Sequence, residues 1–192
     1  MINRLFKKST LYIVMVGAIL GMSSAVSFSQ VYETMEGHVE FDSSVPLHSF
    51  TGTSENLTGQ INLTENIVDF YVDLTTLETG IGARDRDMRE TLNTDEFPFA
   101  EFYGSLKTLP DSSSIMPQTV MVVGDFKIHG ISKSIEVPGK ITFNEQGIHV
   151  VAEWEINIKD YDITPPGVLF YKVSEIQKVR IDVLLPEKEE MP

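Results

Sequence analysis

Histidine is the residue type best suited to metal binding or to acid–base catalysis at neutral pH, and this sequence contains four histidines. An H-x-x-x-H or H-x-H spacing would bring two histidines to one metal ion. Neither spacing occurs among the four, which are His38, His48, His129 and His149. Alternation places the side chain of His149 on the outside of a strand, and His129 falls in a predicted turn. The sequence therefore predicts no histidine-based metal site or catalytic base.

Other residue types give no better support for catalysis. The chain has no cysteine, which excludes disulfides, thiol catalysis and lipid attachment through a cysteine. It has no G-x-S-x-G elbow and no glycine-rich phosphate loop, and its carboxylates do not cluster on an apolar face. Asp85 and Asp87 lie among arginines, so we expect salt bridges there. Met88 and Met121 could ligate haem only from the interior, and no pattern indicates this. We expect a non-enzymatic protein without a cofactor.

The stretch from residue 68 to residue 102 changes its periodicity partway. Its first part alternates as a strand does, with Val68, Phe70, Val72 and Leu74 on one face and Asp69, Tyr71 and Asp73 on the other. Gly80 and Gly82 interrupt that strand. A short polar helix is then predicted near residues 84–93, with Ile81, Met88 and Leu92 on one face. The chain should therefore form a strand, a helical flap and a returning strand.

Alternation of apolar and polar residues recurs along most of the chain from Tyr32 onward. Long, regular strands of this kind favour an all-β fold with a closed or nearly closed antiparallel sheet, because closure removes exposed edges. The predicted inward-facing residues are Phe41, Phe70, Val72, Phe102, Phe126, Ile128, Phe143, Ala152, Trp154, Ile156, Val179 and Ile181. These side chains either pack a solid core or line a cavity for a slender ligand.

Two motifs resemble those of a known family. Residues 79–102 read T-G-I-G-A-R-D-R-D-M-R-E-T-L-N-T-D-E-F-P-F-A-E-F, and residues 122–138 read V-V-G-D-F-K-I-H-G-I-S-K-S-I-E-V-P. Both are similar to motifs of the YceI-like family of periplasmic lipid-binding proteins, and the resemblance covers roughly residues 32–185. It implies an eight-stranded, lipocalin-like antiparallel barrel with the short helical flap, whose lumen holds a long isoprenoid or other lipid chain.

The flap itself has two interpretations. In the first, Ile81, Met88 and Leu92 cap one mouth of the lumen and the helix moves when a ligand enters. In the second, the helix only closes the end of the barrel, and its charged residues form a solvated face. The sequence does not choose between them.

Both ends of the chain are predicted to lie outside the barrel domain. Residues 1–29 combine a basic start, an apolar run over 11–22 and small residues at Ser27 and Ser29, which predicts a secretory signal peptide that is removed before Gln30. A retained membrane anchor is the alternative. With the signal removed, we expect no membrane span and a periplasmic or secreted protein. A single domain follows over residues 30–186, and residues 187–192 form a flexible acidic tail.

The net charge narrows the choice of ligand. The whole chain carries a net charge of −13, and residues 1–29 hold three of its 15 Lys and Arg residues but none of its 28 Asp and Glu residues. The mature protein is therefore more acidic still, which disfavours binding to nucleic acid and favours a neutral ligand. One hypothesis is a protein for transport, storage or sequestration of a long-chain apolar lipid such as an isoprenoid. The other is a stress-related structural barrel that acts through a protein partner without a lipid. A homodimer stays open in both.

The signal-peptide prediction can be tested directly on exported protein. N-terminal sequencing should find Gln30 as the first residue, or Val26 if cleavage follows Ala25, because small residues precede both positions. Recovery of protein that still begins at Met1 from the cell envelope would contradict the prediction.

Overall fold

The computed structural model describes residues 30–45, 48–165 and 173–188 of the 192-residue chain. The predicted signal peptide and residues 189–192 lie outside this part, so the boundaries predicted there stay predictions.

Eight antiparallel strands follow one another around a closed barrel. Each strand pairs with the next in sequence, and the last strand pairs with the first, for example through Phe41 and Val179. The all-β fold predicted from alternation is confirmed, as is the eight-stranded barrel that the family resemblance implied. The strands are β1 (Val31–Val45), β2 (His48–Asn62), β3 (Ile67–Asp73), β4 (Phe99–Leu106), β5 (Gln118–Ile128), β6 (Ile131–Asn144), β7 (Gly147–Asn157) and β8 (Ile176–Leu185).

The predicted flap is an α-helix, α1 (Gly82–Leu92), in the connection between β3 and β4. It ends at Asn93, whose left-handed conformation (φ 48°) lets its backbone N–H reach the carbonyls of Arg89 and Glu90. Short 3-10 helices follow β3 (Leu74–Thr76) and β7 (Ile158–Tyr161). None of the helices in the described ranges is both long and apolar enough to cross a membrane.

Strand β2 is a single strand of 15 residues, although it contains two glycines, which often mark bulges or bends. Its pairing with β1 shifts register twice, between Thr34 and Gly37 and between Gly37 and Val39 of β1. The glycines have another purpose, because aromatic rings of the neighbouring strands lie over them. A Cβ atom on Gly59 would fall 2.1 Å from the ring of Phe70, and one on Gly52 would fall 2.2 Å from the ring of Phe41. Only glycine leaves room for these inward-facing rings.

The two ends of the barrel are packed differently. At the end away from α1, Tyr32 and Phe143 meet edge to face with ring centroids 6.2 Å apart. Ile148 and Leu185 beside them are 0% exposed. This end is therefore a solid plug of side chains, and any opening of the lumen lies at the α1 end.

The chain continues past the predicted domain end at residue 186. Glu187 forms a bridge with Tyr32, and the backbone N–H of Lys188 donates to the carbonyl of Val31 at 2.8 Å. The first two residues of the predicted tail thus pair with β1 instead of leaving the barrel.

The close fit of Phe70 over Gly59 predicts a large effect from one methyl group. Substituting Gly59→Ala should lower the free energy of unfolding by about 1–3 kcal/mol, because the ring or the strand must shift to admit the Cβ atom. Urea unfolding followed by circular dichroism measures the change.

Gly82→Ala is the matched control, since a Cβ atom there has no neighbour within 4 Å. It should change the free energy of unfolding by less than about 0.5 kcal/mol. Equal effects of the two substitutions would show that the ring does not constrain Gly59.

Candidate ligand-binding site

An internal cavity of about 400 Å³ occupies the barrel between the solid plug and α1. Its wall is formed mainly by apolar side chains from all eight strands, and residues of α1 complete it at one end. Exposed residues such as Ile81 and Asp87 belong to this end of the wall, so the cavity opens beside the helix. The volume lies within the range of small-molecule binding pockets.

The structure brings nearly all of the predicted inward-facing residues together around this cavity. Those that line it are Phe41, Phe70, Val72, Phe102, Phe126, Ile128, Ala152, Trp154, Ile156, Val179 and Ile181. Phe143 does not, which corrects its place among the lumen candidates: it faces inward, but at the plugged end against Tyr32. The three flap residues Ile81, Met88 and Leu92 also line the cavity. Contact of any of these residues with a ligand stays a prediction.

The histidines whose side chains are described lie away from the cavity. His149 points outward and contacts Asp182 at 2.7 Å, and His38 lies outside next to Glu55. His129 occupies the β5–β6 turn with φ 54°, and its Nδ1 lies 3.0 Å from the Tyr161 carbonyl oxygen. Among the described residues, no cluster of three or more His, Asp or Glu side chains could hold a metal ion.

Asp85 fastens the start of α1 to the loop before it. We predicted a salt bridge for this residue, but its carboxylate is buried and accepts hydrogen bonds from the Thr79 N–H at 2.8 Å and the Thr79 hydroxyl at 2.5 Å. Burial alone would raise the pKa of Asp85, but the Thr79 hydrogen bonds and the charges of Arg89 and Arg84 bring it below its ordinary value. Asp87 does contact a cation, since Arg86 lies 3.9 Å away on the surface.

A second contact joins α1 to β2 across the mouth of the cavity. The Arg84 guanidinium lies over the ring of Phe50, 4.5 Å from its centroid, and that ring meets Phe41 edge to face at 6.0 Å. Such a cation–π contact is worth about 0.5–1 kcal/mol at an exposed site. No pattern in the sequence indicates this contact, because no periodicity relates two residues on different elements.

One polar residue in the cavity wall was also missed. Gln177 lines the cavity two residues before Val179 on β8 and is 6% exposed. Extending the alternation of β8 backward by one step would have placed it inside. A polar residue at an inward position is an informative exception, because burying it requires hydrogen-bond partners.

The fold and the cavity define a class: a small lipocalin-like barrel with an apolar internal pocket and a helix at its mouth. The sequence model of the YceI-like domain matches residues 23–185. The chain therefore belongs to the YceI-like family, as the two motifs indicated. No curated protein sequence matches it.

Several solved structures share the fold. A polyisoprenoid binding domain from Saccharophagus degradans, implicated in plant cell wall breakdown, is 17% identical over 83% of this chain and 99% of its own, with a TM-score of 0.72. BcnA from Burkholderia cenocepacia is 12% identical over 76% of this chain and 94% of its own, with a TM-score of 0.65. The Campylobacter jejuni YCEI protein is 15% identical over 77% and 90%, with a TM-score of 0.58. At these identities the likeness shows the fold alone.

The hydrogen bonds of Asp85 predict a pH-dependent attachment of α1. Because its folded pKa lies below the ordinary value of 3.8, the stabilisation is complete above pH 3.8 and is lost as the pH falls through the folded pKa. Asp85→Asn should therefore lower the hydrogen-exchange protection of α1 amides by about two- to tenfold at pH 6.5. At pH 2.5 the difference between the two proteins should be smaller than at pH 6.5, because a larger fraction of the wild-type carboxyl is then protonated.

Asp87→Asn provides the control on the same helix, since Asp87 is exposed and weakly paired. Its protection factors should match those of the wild type at both pH values. If Asp85→Asn behaved in the same way, Asp85 would not hold the helix.

Proposed function

We propose that this protein is a non-enzymatic carrier that holds one long-chain, neutral, isoprenoid-like lipid inside its barrel, in the periplasm or outside the cell. The observation that carries the proposal is the apolar cavity of about 400 Å³ inside a closed barrel, with its opening beside α1. A slender chain suits this shape, because one end is plugged and a ligand can enter only lengthwise from the other.

The energetics favour an apolar ligand without an ionic anchor. Each buried CH₂ group contributes about 0.8 kcal/mol, so ten of them contribute roughly 8 kcal/mol before the cost of association. The cavity wall offers mostly aliphatic and aromatic surface for this burial, and its charged groups, among them Arg84 and Asp87, belong to its α1 end. The acidic net charge of the chain disfavours anionic lipids for the same role.

The relatives agree with this proposal. The Saccharophagus degradans neighbour is a polyisoprenoid binding domain, and the match covers 83% of this chain. The resemblance to a family of periplasmic proteins and the predicted signal peptide over residues 1–29 support the proposed location.

Small residues leave space in the middle of the lumen. Ala152 on β7 pairs with Gly139 on β6, and both line the cavity. A Cβ atom on Gly139 would already come within 3.4 Å of the Ala152 Cβ atom. Trp154 lies two residues further along the same inward face and is the only tryptophan of the chain. Its fluorescence therefore reports on this one position.

Delipidated protein should respond to a long-chain isoprenoid with a saturable shift of Trp154 emission, because the chain would displace water from beside the indole ring. Ala152→Phe should abolish the shift while the barrel still folds, since overpacking costs about 1–3 kcal/mol, less than the stability of a typical domain. Circular dichroism checks the fold of the variant.

Val151→Phe is the control, because Val151 adjoins Ala152 but points away from the lumen. It should keep the full response. If wild-type protein showed no saturable response to long-chain lipids, and organic extracts of the purified protein contained none, the carrier function would fail and binding of a protein partner would replace it.

A further inference from the structure

Two side chains in the cavity wall carry a buried polar atom that has no hydrogen-bond partner in the described part of the chain. One is the indole Nε1 of Trp154, and the other is the amide Oε1 of Gln177. Both residues line the cavity. Buried polar atoms are nearly always hydrogen-bonded, so unpaired atoms on two residues of the cavity wall indicate that a hydrogen-bonding partner is missing there.

The strand register places the two residues next to each other. Trp154 pairs with Val179, and Gln177 pairs with Ile156, across β7 and β8. Trp154 and Gln177 are therefore diagonal neighbours on the inward face, a spacing that long side chains can bridge. They lie near the α1 end of the barrel, where the cavity opens.

Both side chains are held in place by their surroundings. The Gln177 amide nitrogen donates to Ser43 Oγ at 3.2 Å and to the carbonyl oxygen of Ser174. Because a carbonyl oxygen can only accept, the amide nitrogen must face Ser174, which leaves Oε1 as the unpaired acceptor. The ring of Trp154 meets Phe126 edge to face, with centroids 6.3 Å apart.

We propose that Trp154 and Gln177 form a subsite for an uncharged hydroxyl head group of the lipid. The inference rests on the carrier function proposed above and narrows its ligand to a long-chain alcohol. A hydroxyl oxygen accepts from the Trp154 N–H, and its proton is donated to Gln177 Oε1. The hydroxyl thus satisfies both atoms at once, and the hydrocarbon chain extends from it along the apolar lumen.

Other head groups match this pair less well. A ketone, ester or ether oxygen accepts from Trp154 but leaves Gln177 Oε1 unpaired. A carboxylate or phosphate would bring negative charge against the Gln177 oxygen in apolar surroundings, which is costly. The subsite therefore favours a hydroxyl over these head groups, because only the hydroxyl has a proton to donate to Gln177 Oε1.

The test compares farnesol with its methyl ether, which keeps the oxygen acceptor but lacks the proton. Isothermal titration calorimetry gives the ratio of the two affinities for wild type, for Gln177→Leu and for Gln60→Leu. Gln60 lies on the outside of β2 and donates to Glu33, so it controls for the chemical change. The farnesol preference should fall about three- to tenfold in Gln177→Leu and stay unchanged in Gln60→Leu.

Trp154→Phe provides a second measurement that does not depend on Gln177. It should weaken farnesol and the ether by a similar factor, because both oxygens accept from the indole, and it should weaken the saturated C15 hydrocarbon less, because that ligand loses only apolar contact. If Gln177→Leu does not fold, the Trp154→Phe measurement alone tests the subsite.

The outcomes separate the subsite from the carrier function. An unchanged farnesol-to-ether ratio in folded Gln177→Leu, or equal weakening of farnesol and hydrocarbon in Trp154→Phe, would overturn the subsite while binding itself upheld the carrier. If wild-type protein bound none of the three ligands, both the carrier function and the subsite would be overturned.

Discussion

The pairing of the last strand with the first is the constraint on which the rest of this structure depends. Once β8 pairs with β1, each strand has two neighbours, and alternate side chains must enter a lumen whose width is set by eight strands. A lumen of this width can be filled completely by side chains or can hold one slender ligand. The sizes of the inward side chains at each position along the barrel axis determine whether the lumen is filled or open. In this barrel it is filled at one end and open towards the other.

Large residues fill one end and small residues leave space further in. Tyr32 and Phe143 close the first end, whereas the Gly139–Ala152 pair widens the lumen nearer to α1. The inward aromatic rings also depend on glycines of the neighbouring strand, as Phe70 does on Gly59. The shape of the cavity therefore depends on which residues face each other on adjacent strands, and not on single residues.

Much of this arrangement could be predicted from the sequence, because the two-residue period of a strand fixes which face a side chain joins. The period alone does not give the position of a side chain along the barrel axis. Phe143 therefore faces inward as expected, but it lies at the plugged end against Tyr32 and not beside the cavity. The role of Asp85 depended on a hydrogen bond to Thr79 in the preceding loop, which the charge pattern of the helix does not reveal. Gln177 is not among the residues predicted to line the lumen because it is polar, although the alternation of β8 reaches its position two residues before Val179.

The placement of α1 in a connection has a consequence for how this protein can evolve. Strands β3 and β4 pair directly from Asp73 and Phe99 onward, so the sheet closes beneath the helix without its help. The loop before it is held to β2 between Thr53 and Glu78, and the ties of the helix beyond that point are side-chain contacts. Substitutions on α1 can thus change the residence time of a bound molecule while every ladder hydrogen bond of the barrel is kept. Selection can adjust the kinetics of exchange and the durability of the fold as two separate traits.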